Sequence, residues 1–279
     1  MAAFFLHTYN PQPIVATFGP FTVHWYGLFL ALGALAGYLT FRSLGRRYGL
    51  NVADLETLFF WLVIAGVVGA RIYHVLNEWS FYVAHPLDIV KIWNGGLAIH
   101  GALLAGLIVI VLFARRKKLS AWLLLDLAAP AVAIGQAIGR WGNYFNQELF
   151  GRPTGLPWGI PIEPLNRPPL YLTSQYFHPT FLYESVGSFL VFAALIMLHR
   201  RARRSRDGSG KGTFFLPAGM IALVYFMAES IVRMAAESLR IDRVPLILGA
   251  RLPLLVSIVI AGGAAILLIR KIRQPGPRT

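Results

Sequence analysis

Between Gly139 and Gly151 the chain reads Gly-Arg-Trp-Gly-Asn-Tyr-Phe-Asn-Gln-Glu-Leu-Phe-Gly. One guanidinium (Arg140), three carboxamides (Asn143, Asn146, Gln147) and one carboxylate (Glu148) follow directly on an apolar run from Leu123 to Ile138. Groups so costly to desolvate are placed beside hydrocarbon where something uses them. Three glycines in the segment are expected to keep the backbone open and let a ligand approach closely. The chemistry on offer is recognition of an anion at a membrane boundary.

A second constellation lies at Arg233-Met-Ala-Ala-Glu237-Ser-Leu-Arg240. Spacings of four and three place these side chains on one helical face, where an ion-pair ladder is the plainest reading. Two cations share one anion there, which leaves a positive charge for a ligand. With Arg140, two guanidiniums at one depth would form a fork for phosphate, a geometry that lysine does not offer. His100, in Gly95-Gly96-Leu97-Ala98-Ile99-His100-Gly101, is a candidate proton acceptor with glycines that would clear space beside it. Tyr26, at the mouth of the first apolar run, reads as an interface anchor or a site residue. Glu184 is a further charge one turn inside a helix that opens at His178-Pro179-Thr180, its plainest role a structural ion pair.

These residues need a membrane scaffold to position them. Apolar residues make up 56% of the 279 residues and charged ones 14%, where a soluble domain carries about a quarter. The runs are long and without strict alternation, so the fold class is all-α and polytopic. Seven spans are expected, at 21–41, 57–76, 97–114, 121–138, 180–198, 214–232 and 251–269, as one membrane domain. A small extracytoplasmic cap is expected at about 77–96 and 151–179, where prolines, glycines and aromatics suggest ordered turns.

Basic residues set the orientation. Arg42, Arg46 and Arg47 follow the first span, and Arg115, Arg116, Lys117 and Lys118 the third. Arg200, Arg201, Arg203, Arg204, Arg206 and Lys211 follow the fifth, and Arg270, Lys271, Arg273 and Arg278 the seventh. In a seven-span chain these clusters share one side, which the positive-inside rule makes cytoplasmic, with the N-terminus outside. The first span, lacking a basic leader, is expected to be retained. The formal charge of +14 suits anionic membrane lipid. Nucleic acid is not an expected partner, for no groove-reading motif is present. There are no cysteines, so no disulfide, thiolate nucleophile or cysteine–metal site is possible. No nucleotide-binding or zinc-hydrolase motif is found either.

With those residues in place, the chain resembles the prolipoprotein diacylglyceryl transferase family of bacterial membrane enzymes. The family's Gly-Arg-x-Gly-Asn-Phe-x-Asn-x-Glu-x-x-Gly signature matches from Gly139 to Gly151, with Tyr144 in place of the usual Phe. The His-Gly motif at His100, the His-Pro-Thr-x-Leu-Tyr-Glu segment at 178–184 and the Arg-x-x-x-Glu-x-x-Arg segment at 233–240 also match, in order. Two departures stand out. Glu229 occupies a position where family members often carry tyrosine, and Ile241-Asp242 follows Arg240 in place of Glu-Pro-Asp.

The resemblance implies transfer of the sn-1,2-diacylglyceryl group of phosphatidylglycerol to the lipobox cysteine thiol of a prolipoprotein signal peptide. A thioether forms and glycerol 1-phosphate leaves. The enzyme would sit in the bacterial cytoplasmic (inner) membrane with its site toward the extracytoplasmic side. His100, Arg140, Arg233 and Tyr26 are the expected catalytic residues. Arg140, Asn143, Asn146, Glu148, Gly151, Arg233, Glu237 and Arg240 are expected to bind phosphatidylglycerol, with Glu148 and Glu237 orienting the arginines. His100 is the candidate base, with Tyr26 or a substrate-assisted route as alternatives. No metal or cofactor is expected. A lipid transporter would instead place polar residues in both halves of the bilayer, usually with an inverted repeat. A structural or sensory seven-helix protein would leave the arginine motifs without a purpose.

Overall fold

The computed structural model describes residues 2–19, 21–206 and 216–273; Lys211 and Arg278 lie outside the described residues. Nine α-helices carry most of these residues: α1 (Ala2–Thr8), α2 (Trp25–Arg47), α3 (Val52–Asn77), α4 (Trp79–Ala84), α5 (Ile99–Lys117), α6 (Ala121–Phe145), α7 (Thr180–Arg206), α8 (Met220–Glu237) and α9 (Leu252–Arg273). Three two-stranded antiparallel hairpins accompany them: β1 (Ile14–Phe18) with β2 (Phe21–His24), β3 (Ile160–Pro161) with β4 (Tyr176–Phe177), and β5 (Leu246–Ile247) with β6 (Ala250–Arg251). The helical class is as expected, and the hairpins are additions to it.

Six helices (α2, α3, α5, α6, α7 and α9) are long and apolar enough to cross a membrane. The seventh long helix, α8, carries Glu229, Arg233 and Glu237 within its 18 residues. Its start at Met220 moves the expected 214–232 span toward the C-terminus, and residues 21–24 of the expected first span form β2. The largest change is at α6. It continues through Gly139 to Phe145, seven residues past the expected end of the span, so Arg140 and Asn143 project from a helix and not from an emerging loop.

Two compact units can be distinguished, one of residues 41–127 and one of residues 1–40 with 128–279. In the first, α3 begins at Asn51, whose side chain accepts the Ala53 N–H at 2.9 Å, with Asp54 in the first turn. Helices α3 and α5 meet through small residues. A methyl group on Gly101 would overlap the Gly69 carbonyl and stand 2.6 Å from Tyr73 Cβ. Gly101 is therefore spent on helix contact. The expected cap segment at 77–96 is α4 and two 3₁₀ turns, held by one buried cation. Arg71 donates to the carbonyls of Ile89 (2.8 Å), Gly95 (2.7 Å), Gly96 (3.0 Å) and Asp88 (2.5 Å). Nearby, the Lys91 ammonium donates to Asp88 Oδ1 at 2.5 Å and holds that carboxyl below its ordinary range.

In the second unit, α2 and α6 approach through Gly33 and Gly37. A Cβ on either would lie 2.9 Å from the carbonyl oxygen of Gly135 or Ala131. The cap at 151–179 closes with β3 and β4 over Leu6, Tyr144, Phe150, Ile160, Ile162, Phe177 and Phe181. Gln147 stitches it together. Its Nε2 donates to the Pro11 carbonyl at 2.8 Å, and its Oε1 accepts the Glu163 N–H at 2.6 Å. The N-terminal residues are thus part of the cap, beyond the two segments expected for it.

The α3–α5 contact is directly testable. Gly101→Val should lose about 1–3 kcal/mol to overpacking, read as a lower thermal midpoint in detergent. Gly106→Ala, whose Cβ would meet Leu62 at an ordinary 3.7 Å, should hold or raise the midpoint. A wild-type midpoint for Gly101→Val would contradict the contact.

Candidate active site

Four elements of the second unit bring charged side chains to one place. Helix α6 supplies Arg140, α7 supplies Glu184, and α8 supplies Arg233 and Glu237. The segment between α8 and α9 supplies Arg240, Asp242 and Arg251. Glu184 is the hub. Its Oε2 lies 2.5 Å from Arg140 Nη2, a close ion-pair contact without hydrogen-bond alignment. Its Oε1 lies 3.2 Å from Arg240 Nη1 and 3.7 Å from Arg233 Nη1.

Glu237 forms a second node. Arg251 Nε donates to its Oε1 at 2.6 Å, and its Oε2 lies 3.1 Å from Arg233 Nη2 and 4.0 Å from Arg240 Nη1. Asp242 pairs with Arg240 Nε at 3.0 Å and Arg251 Nη2 at 3.5 Å. Four guanidiniums (Arg140, Arg233, Arg240, Arg251) thus share three carboxylates (Glu184, Glu237, Asp242), one positive charge in excess.

Exposure separates the arginines into two kinds. The side chain of Arg240 is 1% exposed, whereas those of Arg140 and Arg233 keep 24% and 30%. Arg240 has spent its donors inside the cluster. Arg140 and Arg233 each retain an open side, and both are anchored to the same carboxylate. Two guanidiniums anchored in this way, each with donors to spare, can be shared by one anion.

The backbone around them explains the signature's last glycine. Gly151 donates its N–H to the His178 carbonyl at 2.9 Å and bridges to Arg240, while Arg152 N–H reaches the Leu239 carbonyl at 2.9 Å. A Cβ on Gly151 would stand 2.8 Å from His178 Cβ and 3.2 Å from the Leu239 oxygen. Gly142 likewise takes the ring of Tyr26, which would be 2.7 Å from an added Cβ. Both glycines serve close packing, and neither has a positive φ, so an open backbone is not their role. Gln147 and Leu149 do carry positive φ (51° and 57°), and the Leu149 carbonyl accepts the Thr180 hydroxyl, which holds that turn in place.

Several expectations change at this point. Glu148 does not orient an arginine: its Oε1 accepts from Asn143 Nδ2 at 2.7 Å and from Asn146 Nδ2 at 3.4 Å. Glu184 takes the arginine-orienting role, together with Glu237. Helix α8 ends at Glu237, so Arg240 reaches the cluster from beyond the helix. Arg251 and Asp242 are further members, outside the expected set. His100 belongs to the other unit, where its ring is exposed and lies 5.6 Å from that of Tyr73. Among the described residues it makes no hydrogen bond, and Gly96 packs against Arg71 and His74 instead of clearing space for it.

Removing the hub's charge should be costly. Glu184→Gln leaves three guanidiniums facing a neutral amide, so a loss of about 3–5 kcal/mol in stability is expected, read by thermal or denaturant unfolding. A variant as stable as the wild type would mean that Glu184 does not hold the cluster.

Comparison with known proteins completes the picture. The family model described as prolipoprotein diacylglyceryl transferase matches residues 13–270. Curated relatives named phosphatidylglycerol–prolipoprotein diacylglyceryl transferase include one from Nostoc sp., 45% identical over 85% of this chain and 81% of its own length. Another, from Synechococcus elongatus, is 44% identical over 90% of this chain and 84% of its own. A third, from Prochlorococcus marinus, is 42% identical over 91% and 86%. A match of that extent, over a chain whose charged residues gather as these do, places the protein in the prolipoprotein diacylglyceryl transferase family.

Proposed function

We propose that the chain transfers the sn-1,2-diacylglyceryl group of phosphatidylglycerol to the thiol of a lipobox cysteine in a prolipoprotein signal peptide. The observation that carries this reading is the pair Arg140 and Arg233, half-open and held by one buried carboxylate within a family of that name. In the reaction, the cysteine sulfur attacks the sn-3 glycerol carbon, a C–S bond forms and the C–O bond to phosphate breaks. The electron pair leaves with the phosphate as glycerol 1-phosphate, and the thiol proton passes to a base.

Charge builds on the leaving phosphate, so the arginine pair stabilises the transition state more than the ground state. A thiol of pKa about 8.5 is mostly protonated at neutral pH, which gives the base its task. His100 stands as the candidate base on its chemistry, an imidazole whose ring nitrogens lack hydrogen-bond partners among the described residues. Tyr26, packed on Gly142, shapes the entrance beside Arg140. Asn143, Asn146 and Glu148 form a polar shelf at the end of α6, facing the glycerol headgroup. Arg240 and Glu237, both sealed, position the pair and do not touch lipid, and Gly151 holds the cap segment to them.

Topologically, α8 is the seventh span, its charges facing the cluster and not the lipid. The basic ends of α2, α5 and α9 and the arginines late in α7 face the cytoplasm, with the N-terminus outside. In the second unit, Tyr26, Arg140, Glu184, Arg233 and Arg251 all lie at the helix ends opposite those basic clusters. The site therefore opens toward the extracytoplasmic side of the bacterial inner membrane, where both substrates enter laterally.

Purified protein, phosphatidylglycerol and a lipobox peptide should yield a diacylglyceryl peptide and glycerol phosphate. Arg140→Ala and Arg233→Ala should each lower kcat by about 10²–10³, the usual cost of removing a transition-state donor. Lysine at either position should recover little, because the fork is lost. Near-normal turnover in either alanine variant would refute the assignment.

A further inference from the structure

The three helices that carry the arginine cluster repeat their polar contribution one turn further along, away from the cap. Helix α6 presents Gln136 below Arg140, α7 presents Ser188 below Glu184, and α8 presents Glu229 below Arg233. Two hydrogen bonds tie the layer across helices. Ser188 Oγ donates to Glu229 Oε2 at 3.1 Å, and the Tyr225 hydroxyl, a turn before Glu229, donates to Gln136 Oε1 at 3.0 Å. The layer is neutral apart from Glu229.

Glu229 differs from the three carboxylates of the cluster. Glu184, Glu237 and Asp242 each have guanidinium partners within 4 Å, whereas Glu229 has no cation at that distance among the described residues. Its Oε1 is buried without a hydrogen-bond partner. A carboxylate so placed pays the cost of burial in its charged form while receiving one hydroxyl in return. The groups facing it are Arg140 and Gln136 from α6, Glu184 and Ser188 from α7, and Tyr225 and Arg233 on its own helix. Helix α9 contributes no charge, its basic residues being confined to Arg270, Lys271 and Arg273.

We propose that Glu229 is a protonation-sensitive positioning residue that sets the net charge beneath the Arg140–Arg233 pair. Neutral, it leaves the cluster its single excess positive charge, which matches the single negative charge of a phosphodiester headgroup. Ionised, it cancels that charge and loosens the hold on an anionic lipid. The proposal rests on the phosphatidylglycerol reading given above.

The test compares wild type, Glu229→Gln and Ser188→Ala in detergent between pH 5 and 9. Phosphatidylglycerol binding is measured without peptide by thermal stabilisation, and KM and kcat are measured in the transfer assay. In wild type, the dissociation constant and KM should rise with pH on the order of tenfold, as one nearby charge is cancelled. Glu229→Gln should keep the tight, low-pH value throughout, with the pH profile of kcat unchanged. Ser188→Ala, which removes the donor to the ionised carboxylate, should move the rise to higher pH. Wild-type affinity indifferent to pH, or an equal rise in wild type and Glu229→Gln, would overturn the proposal. The expected pH-dependent binding without any transfer would support Glu229's role while sinking the reaction assigned above.

Discussion

The constraint on which the site depends is the shared counter-ion. Three guanidiniums within 4 Å of one buried carboxylate would repel one another strongly if Glu184 were absent. Its presence fixes where each can go. Because Glu184 sits on α7 while its partners come from α6, α8 and the segment after α8, the ion pairs also set how those elements pack. Breaking such a network costs more than forming it returns, so its value is positional. What it positions is two arginines with one side still open.

The cap enforces the same arrangement from the backbone. Gly151 donates a strand-like bond to the His178 carbonyl on one side and bridges to Arg240 on the other. A side chain there would push apart the two segments that deliver Glu184 and Arg240. Gln147, buried and bonded on both ends of its amide, ties the turn after α6 to the N-terminal residues and to Glu163. The signature from Gly139 to Gly151 thus has two halves with separate tasks. Its helical half presents Arg140 and Asn143, and its loop half anchors the cap.

Much of the scaffold was legible because hydropathy and basic clusters respond directly to the bilayer. The long helices and the polar segment at their mouth follow from those alone. Helix α6 overran its expected end because apolar content stops at Gly139 while backbone hydrogen bonding does not. Helix α8 falls outside the purely apolar set for the reason that makes it interesting, its three charges. The β1–β2 hairpin had a local signal, a β-branched Ile14–Phe18 and Phe21–His24 flanking Gly19-Pro20, whereas β3 and β4 pair only through the folded cap. Glu184 was visible as a costly charge, yet its partners lie 44 to 56 residues away and spacing cannot show them. Arg251 left a faint trace as a lone cation at the non-basic end of the last span.

The central claim is that Arg140 and Arg233 jointly grip a lipid phosphate while Glu184 holds them in place. A cryo-EM reconstruction of the protein with phosphatidylglycerol, before thiol peptide is added, tests it most directly. Phosphate oxygens within about 3 Å of both guanidiniums, with Glu184 still bridging them from the buried side, is the expected result. A headgroup seated elsewhere, with both arginines closed on carboxylates alone, would contradict the account.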